Sequence, residues 1–417
     1  MRYYDGYVRE SALHRAAALA SPELLPAIAE RLNDWVPQVR TLAQKVLLGM
    51  VSVIDTREAL RLLPAVQRLH QAGRADHSDW IASFEQALVK KISPQIIIDG
   101  LLDPDVHVAR ACWKLVEAWR LVPPEAAIAR LLPATPDIVL ARYAVETIFR
   151  LPEQVREPLF ERALESSFGM VRAIALRPLL TKESTENDAL AIRMATDLQA
   201  WVRMIASGYL KRRGIDVAAV LAETLQAAGA NSMTMRGCLA GLAEQGSTDR
   251  LDLVRSFTRH PMARVQLSAY FAWLRLEPSR RDEIALDVLH SPHRRVRKLV
   301  LQLVHEEGVY VDAETALYLM AEHDDVDMMF AFLQSDPWAS LELIVQMEPQ
   351  SRQHPALRAR LEREFEAWFA ASMRFTAASP AQRARFQDGD IVKVLAGLAS
   401  MDEQKVMRRL TFLLGVP

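Results

Sequence analysis

The stretch Asp197-Leu-Gln-Ala-Trp-Val-Arg-Met-Ile-Ala-Ser-Gly-Tyr-Leu-Lys211 decides how this chain is read. Val202, Ile205, Ala206, Tyr209 and Leu210 stand at offsets 0, 3, 4, 7 and 8, and Arg203 at offset 1. Apolar residues at that spacing fall on one side of an α-helix, which predicts an amphipathic helix with its core face defined.

The pattern starts again at Val8, Val39, Val108, Leu140, Val171, Met235, Val265, Val296 and, in weaker form, Val326. From Val108 onward successive starts are 32, 31, 31, 33, 30, 31 and 30 residues apart. The 69 residues between Val39 and Val108 leave room for one divergent unit, whose second helix is expected at Ser78–Lys91 near Ile81. Each motif follows another helical run. Those runs open at Ser21-Pro22, Pro123-Pro124, Asn187-Asp188, Asp216, Ser247-Thr248-Asp249, Pro278-Ser279 and Asp312. Side-chain oxygens there satisfy free N–H groups, and proline at a helix start costs no hydrogen bond. The unit is therefore helix, turn, helix. Two short helices cannot bury their own apolar faces, so neighbouring pairs must stack.

These residues resemble the HEAT repeats, in the short form also seen in phycobilin-lyase-like proteins. That family places an Asp near the turn and Val-Arg at the start of the second helix, matched here by Asp5 with Val8-Arg9, Asp34 with Val39-Arg40 and Asp197 with Val202-Arg203. Ala109, Ala141, Gln266 and Asp327 replace the Arg in other units. The period is also shorter than the about 40–47 residues usual for such repeats. The resemblance covers roughly residues 1–335. It implies an all-α, right-handed α-solenoid of stacked helical hairpins, HEAT-like or ARM-like, with about ten units, the first incomplete because only seven residues precede Val8. Its flank is expected to be covered by a polar face, a partner or self-association.

After Ser335 the pattern stops. Residues 336–417 are expected to form a C-terminal helical capping segment, or alternatively a module that recruits a partner. Asp336-Pro337 opens one helix, residues 355–375 a longer one, residues 376–390 read as irregular, and 391–400 and 402–414 form two last helices.

Half of the 417 residues are hydrophobic, and 51 basic against 52 acidic side chains leave a net charge of −1. No global field draws such a chain to nucleic acid or an anionic membrane. Cys112 and Cys238 both fall within second helices and read as small core residues in a reducing compartment, which predicts a cytoplasmic protein. The start MRYYDGYVRESALHR has no apolar run of signal-peptide length, and no segment reaches the length of a membrane helix.

No phosphate-binding glycine loop, dinucleotide fingerprint, zinc-protease, redox or nucleophile-elbow motif is present. His290 and His293, with His305 on the next helix, read as turn residues rather than metal ligands; the run from Glu322 to Asp327 reads as helix capping rather than a cation site. Arg9, Arg40, Arg172, Arg203, Arg236 and Arg297 at offset 1 read as a ladder paired with turn carboxylates, in preference to a phosphate-binding line.

Function is expected on the face left over, offsets 2, 6 and 9, which lines the concave groove in HEAT-like proteins. There Met204, Leu267, Phe271, Leu274, Met328 and Phe332 form the expected partner-binding groove, with Gly208, Gly237 and Gly241 opening a shallow trough. Arg110, Lys114, Arg142, Arg177, Lys211 and Lys298 form its basic rim. The reading is a bacterial-type scaffold or adaptor, inhibitor or assembly factor that binds another protein, with no catalytic residue, metal, small-molecule cofactor or membrane assigned. The alternative is a nucleic-acid-binding protein like the HEAT-like alkylpurine DNA glycosylases. Trp113 and Trp119 near Glu117, with Arg110, Lys114 and Arg142, are the nearest match to what that enzyme needs. No residue specifically supports phycobilin-lyase-like activity.

Overall fold

The computed structural model describes residues 3–227, 229–371 and 377–415, and among these the regular structure is helical with no strand. The chain divides into two compact units, Met1–Gln245 and Gly246–Pro417. That division falls inside the expected 1–335 repeat region. No helix is long and apolar enough to cross a membrane among the described residues.

The expected second helices are present. In the first unit they are Gly6–Leu19, Pro37–Met50, Ser78–Lys91, Val106–Trp119, Ile138–Ile148, Gly169–Leu179, Ala200–Arg212 and Ser232–Gln245. In the second they are Ala263–Leu276, Arg294–Arg297 continuing into Leu299–His305, and Val326–Phe332. Local chemistry sets the starts of the first helices, among them Thr185–Met194, Val217–Gln226 and Ala313–Ala321. Asp216 accepts from the N–H groups of Ala218 and Ala219, and Asp312 from that of Thr315. The Thr185–Met194 helix begins earlier than Asn187-Asp188 predicts, because Ser184 caps it by accepting from Asn187. Within the first unit, Gly169–Leu179 packs on its own first helix, Glu153–Ala163, and on the next second helix, Ala200–Arg212.

Burial follows the repeat, rotated from the expected frame. Val39, Val108, Leu140, Val171, Val202, Val265 and Val296, and the residues four farther on, are buried. So are the small residues Ala144, Ala175, Ala206 and Ala269. Offset 1 is also buried at Ala109, Ala141, Arg203, Gln266 and Arg297, and offset 5 at Trp113, Val145, Leu176 and Tyr270. Offset 3 drifts outward, with Tyr143 exposed. At about 100° per residue, a core stripe centred on offsets 0, 4 and 8 with offset 1 inside it turns the outward face toward offsets −1, 2 and 6 and leaves offset 9 at the core's edge. In the first unit Val8 is exposed, and Arg9, Leu13 and Ala16 face inward.

Arginines at offset 1 are held in a repeating way. The Nη1 of Arg40, Arg172, Arg203 and Arg297 donates to the carbonyl six residues earlier, at Asp34, Ser166, Asp197 and Ser291. The rest of the guanidinium reaches forward. Arg9 takes both oxygens of Asp34 at 3.0 and 2.8 Å, Arg172 both of Asp197 at 2.7 Å, Arg203 pairs with Glu244, and Arg297 with Asp325. Burial pushes the Asp34 carboxyl up, but the Arg9 hydrogen bond and the Val36 N–H outweigh it and hold it below its usual value. Arg236 makes no such pair, and its buried Nε has no hydrogen-bond partner among the described residues.

In the second unit, Pro337–Ser351 runs past the end expected at about Met347 and through Pro349, and Pro355–Ala370 pairs with it. The expected continuation over 372–375 lies outside the described residues. Residues 380–386 are helical instead of irregular. Ser379 and Gln382 cap each other's backbone around Pro380, a capping box that the Ala-Ala-Ser-Pro-Ala composition hides. Gly389–Leu398 and Glu403–Leu414 complete the chain.

Candidate partner-binding surface

The expected groove residues divide between the two units, Met204 in the first and Leu267, Phe271, Leu274, Met328 and Phe332 in the second. Met204 and Phe271 are exposed, Phe271 by 48%, and Leu267 is half-buried. Leu274, Met328 and Phe332 are core residues and present nothing to a partner. Leu274 is at offset 9, which the rotated stripe covers. For the Val326 unit the frame is two residues out. Asp325 takes Arg297 as Asp137 takes Arg110, and Asp137 stands three residues before Leu140. Burial agrees with a later start: Met328, Met329, Phe330, Phe332 and Leu333 are in the core, and Val326 is only half-buried.

The glycine trough is also filled. A side chain at Gly237 would collide with the Thr196 carbonyl at 1.7 Å, and one at Gly241 with Leu221 at 2.8 Å. Gly237 lets the Ser232–Gln245 helix press against the turn at Thr196, and Gly241 lets it press against Leu221 of the Val217–Gln226 helix. Gly208 alone of the three is open, its nearest neighbour being the Arg212 Nη1 at 3.9 Å.

On the basic rim, Lys114, Arg142, Arg177, Lys211 and Lys298 are exposed. Arg142 is spent on Glu146 at 2.8 Å. Arg110 is a ladder residue rather than a rim residue. With Ala109 at the usual position, the guanidinium one residue later reaches both oxygens of Asp137, at 2.5 and 2.8 Å. That hydrogen bond, against the effect of burial, holds the Asp137 carboxyl below its usual range.

The aromatic and carboxylate set expected of a base-excising site does not assemble. Trp113 is buried in the core, Trp119 donates its indole N–H to the buried Glu85 at 2.8 Å, and Glu117 is exposed. Of the three histidines, His293 contacts the Pro261 carbonyl at 2.7 Å and His305 the Ala331 carbonyl at 2.9 Å. Asp325 does not cap its helix, as the sequence suggests, because Arg297 and Arg294 take its carboxylate.

Two features missed by the repeat frame stand out in the first unit. Trp201, 60% exposed, sits at offset −1 and Met204 three residues on, so they are neighbours on the outward face of Ala200–Arg212. Leu198, three residues before Trp201, is exposed in the preceding turn. Leu198 also lines an open groove of about 1220 Å³. One wall is the Glu153–Ala163 helix with Glu157 and Glu161, and the other is Thr185–Met194 with Glu186, Leu190 and Arg193. Met233 and Thr234, at the start of Ser232–Gln245, close one end. The offset −1 rule, once the burial of offset 1 is known, finds Trp201. The groove has no such signal, because it forms where first helices of successive units stand apart. Compared with models of known protein families and with curated proteins, the chain matches none.

Proposed function

We propose that this chain is a HEAT-like scaffold of stacked helical hairpins, with the residues after 335 as its cap, acting in the cytoplasm to bind another protein. The partner segment docks in the groove between Glu153–Ala163 and Thr185–Met194 and extends over Trp201 and Met204. The observation that carries this reading is the groove itself: open, about 1220 Å³, with exposed Leu198 and Met233 at its edge. Its volume exceeds the roughly 300–1,000 Å³ of small-molecule pockets, and its form suits a helix laid in a groove. Exposed apolar side chains gathered at one place are the usual mark of a contact surface.

The basic side chains give less support to a nucleic-acid reading, since Arg110 and Arg142 are already paired with carboxylates. The test is affinity purification of the wild-type chain beside a Leu198→Asp/Met233→Asp variant, with identification of co-purifying chains. Both positions are exposed, so the variant keeps its fold. A partner retained by the wild type and lost by the variant is expected. Equal retention, or steep salt-dependent binding of duplex DNA that Lys114→Ala/Arg142→Ala flattens, overturns the proposal.

A further inference from the structure

Resting on the protein-binding reading of this groove, we propose that its occupant is a basic amphipathic helix. Glu157 and Glu161 are four residues apart on one helix and so share a face, with Glu186 on the opposite wall. All three are exposed and make no ion pair among the described residues. The other charges at the groove are largely spent: Arg172 and Asp197 hold each other at 2.7 Å, and Arg162 pairs with Glu165 at 3.4 Å. Three uncompensated carboxylates remain against Arg193.

The apolar lining of the groove includes Leu190, on the same wall as Glu186, with Leu198 in the turn that follows and Met233 at the start of Ser232–Gln245. That is the inverse of a helix with apolar residues at i, i+3, i+4 and i+7 and lysine or arginine beside them. Its apolar stripe covers the two leucines and Met233 while its cations reach the glutamates. An acidic helix in the same place sets like charges side by side, and a nucleic-acid backbone is repelled.

The test uses the full chain and fluorescein-labelled synthetic peptides about 18 residues long, enough for a helix of about five turns. One carries leucine at the helical spacing with lysine elsewhere, one has glutamate in place of lysine, and one is a scrambled leucine–lysine sequence. In anisotropy titrations the leucine–lysine helix is expected to bind at least about tenfold more tightly than either other peptide, and more weakly as salt rises. Glu157→Lys/Glu161→Lys/Glu186→Lys, at exposed positions and with an unchanged circular dichroism spectrum, is expected to lower that affinity by at least about tenfold and to favour the glutamate peptide. Equal binding of the lysine and glutamate peptides, equal binding of the scrambled peptide, or an unaffected triple variant each overturns the proposal. If Leu198→Asp/Met233→Asp loses the native partner while the triple charge variant retains it, protein binding stands and the basic helix falls.

Discussion

Arg9 in the first unit and Gln266 in the second occupy the same offset of the repeat and meet the next unit with different chemistry. Arg9 is fully enclosed, gives two hydrogen bonds to Asp34 and spends its remaining nitrogen on the carbonyls of Tyr3 and Tyr4. Gln266 is as deeply buried, yet its amide oxygen accepts a single hydrogen bond from Ser291 at 2.6 Å. At these two rungs a satisfied polar contact joins neighbouring repeats, and it does not need a charge. A charged rung differs in what remains when it breaks, because a stranded buried guanidinium costs more than a stranded hydroxyl.

That difference is measurable. Asp34→Ala strands the Arg9 guanidinium and is expected to cost about 3–5 kcal/mol, read from the urea midpoint. Gln266→Ala strands only the Ser291 hydroxyl and is expected to cost about 1–3 kcal/mol. The double change Arg9→Met/Asp34→Leu should recover much of the first loss, since apolar residues of similar size often replace a buried ion pair at little cost. Equal costs for Asp34→Ala and Gln266→Ala break the comparison.

Arg40 supplies a third kind of rung. Its Nη1 holds the Asp34 carbonyl at 2.7 Å, but His77 is the titratable group it acts on in the divergent unit. His77 is buried, with Nδ1 against the Gln44 amide at 2.9 Å and Nε2 without a hydrogen-bond partner among the described residues. Burial first and the Arg40 charge second lower its pKa, while Asp76 opposes them. An unfolded imidazole titrates near 6.5. Below that pH the unfolded chain takes up a proton that the folded chain refuses, so the stability is whole above about 6.5 and is lost as pH falls toward the lower folded value. Denaturant midpoints at pH 7.5 and 5.5 should therefore differ more for the wild type than for His77→Gln. An identical drop in both removes His77 from the account.

How much of this was legible depends on what periodicity encodes. It places Val202, Ala206 and their counterparts in the core, since residues four apart must share a helix face whatever the rotation of the helix. It also marks Arg9, Arg172 and Arg297 as ladder residues through turn aspartates, whereas Arg203 takes Glu244 within a helix, Arg40 takes a backbone carbonyl, and Arg236 takes no carboxylate among the described residues. What it leaves open is which neighbours flank that face. The burial of Arg203 and Gln266 shifts the stripe, and this shift covers Leu274 and exposes Trp201. Arg110 was not legible as a rung because it stands one residue late and reaches Asp137 only by its length. The groove was not legible either, because its walls, Glu153–Ala163 and Thr185–Met194, belong to different repeats and their spacing is set by packing that periodicity does not encode.

The smallest expected effect on stability is the most informative about that rotation. Trp201 stands on the outward face, in none of the ladder contacts, and beside Met204. Trp201→Ala should shift the urea midpoint by an amount within about 0.5 kcal/mol, as surface substitutions away from special features do. A large aromatic truncated in the core costs about 3–5 kcal/mol, so the two placements are well separated. Partner capture should fall in the same variant, because exposed aromatic anchors carry a disproportionate share of binding energy. Loss of capture with an unchanged midpoint places Trp201 in the contact surface. A large drop in the midpoint means that the side chain is buried, that the stripe is not rotated toward offset 1, and that the outward face must be drawn again from offset 9.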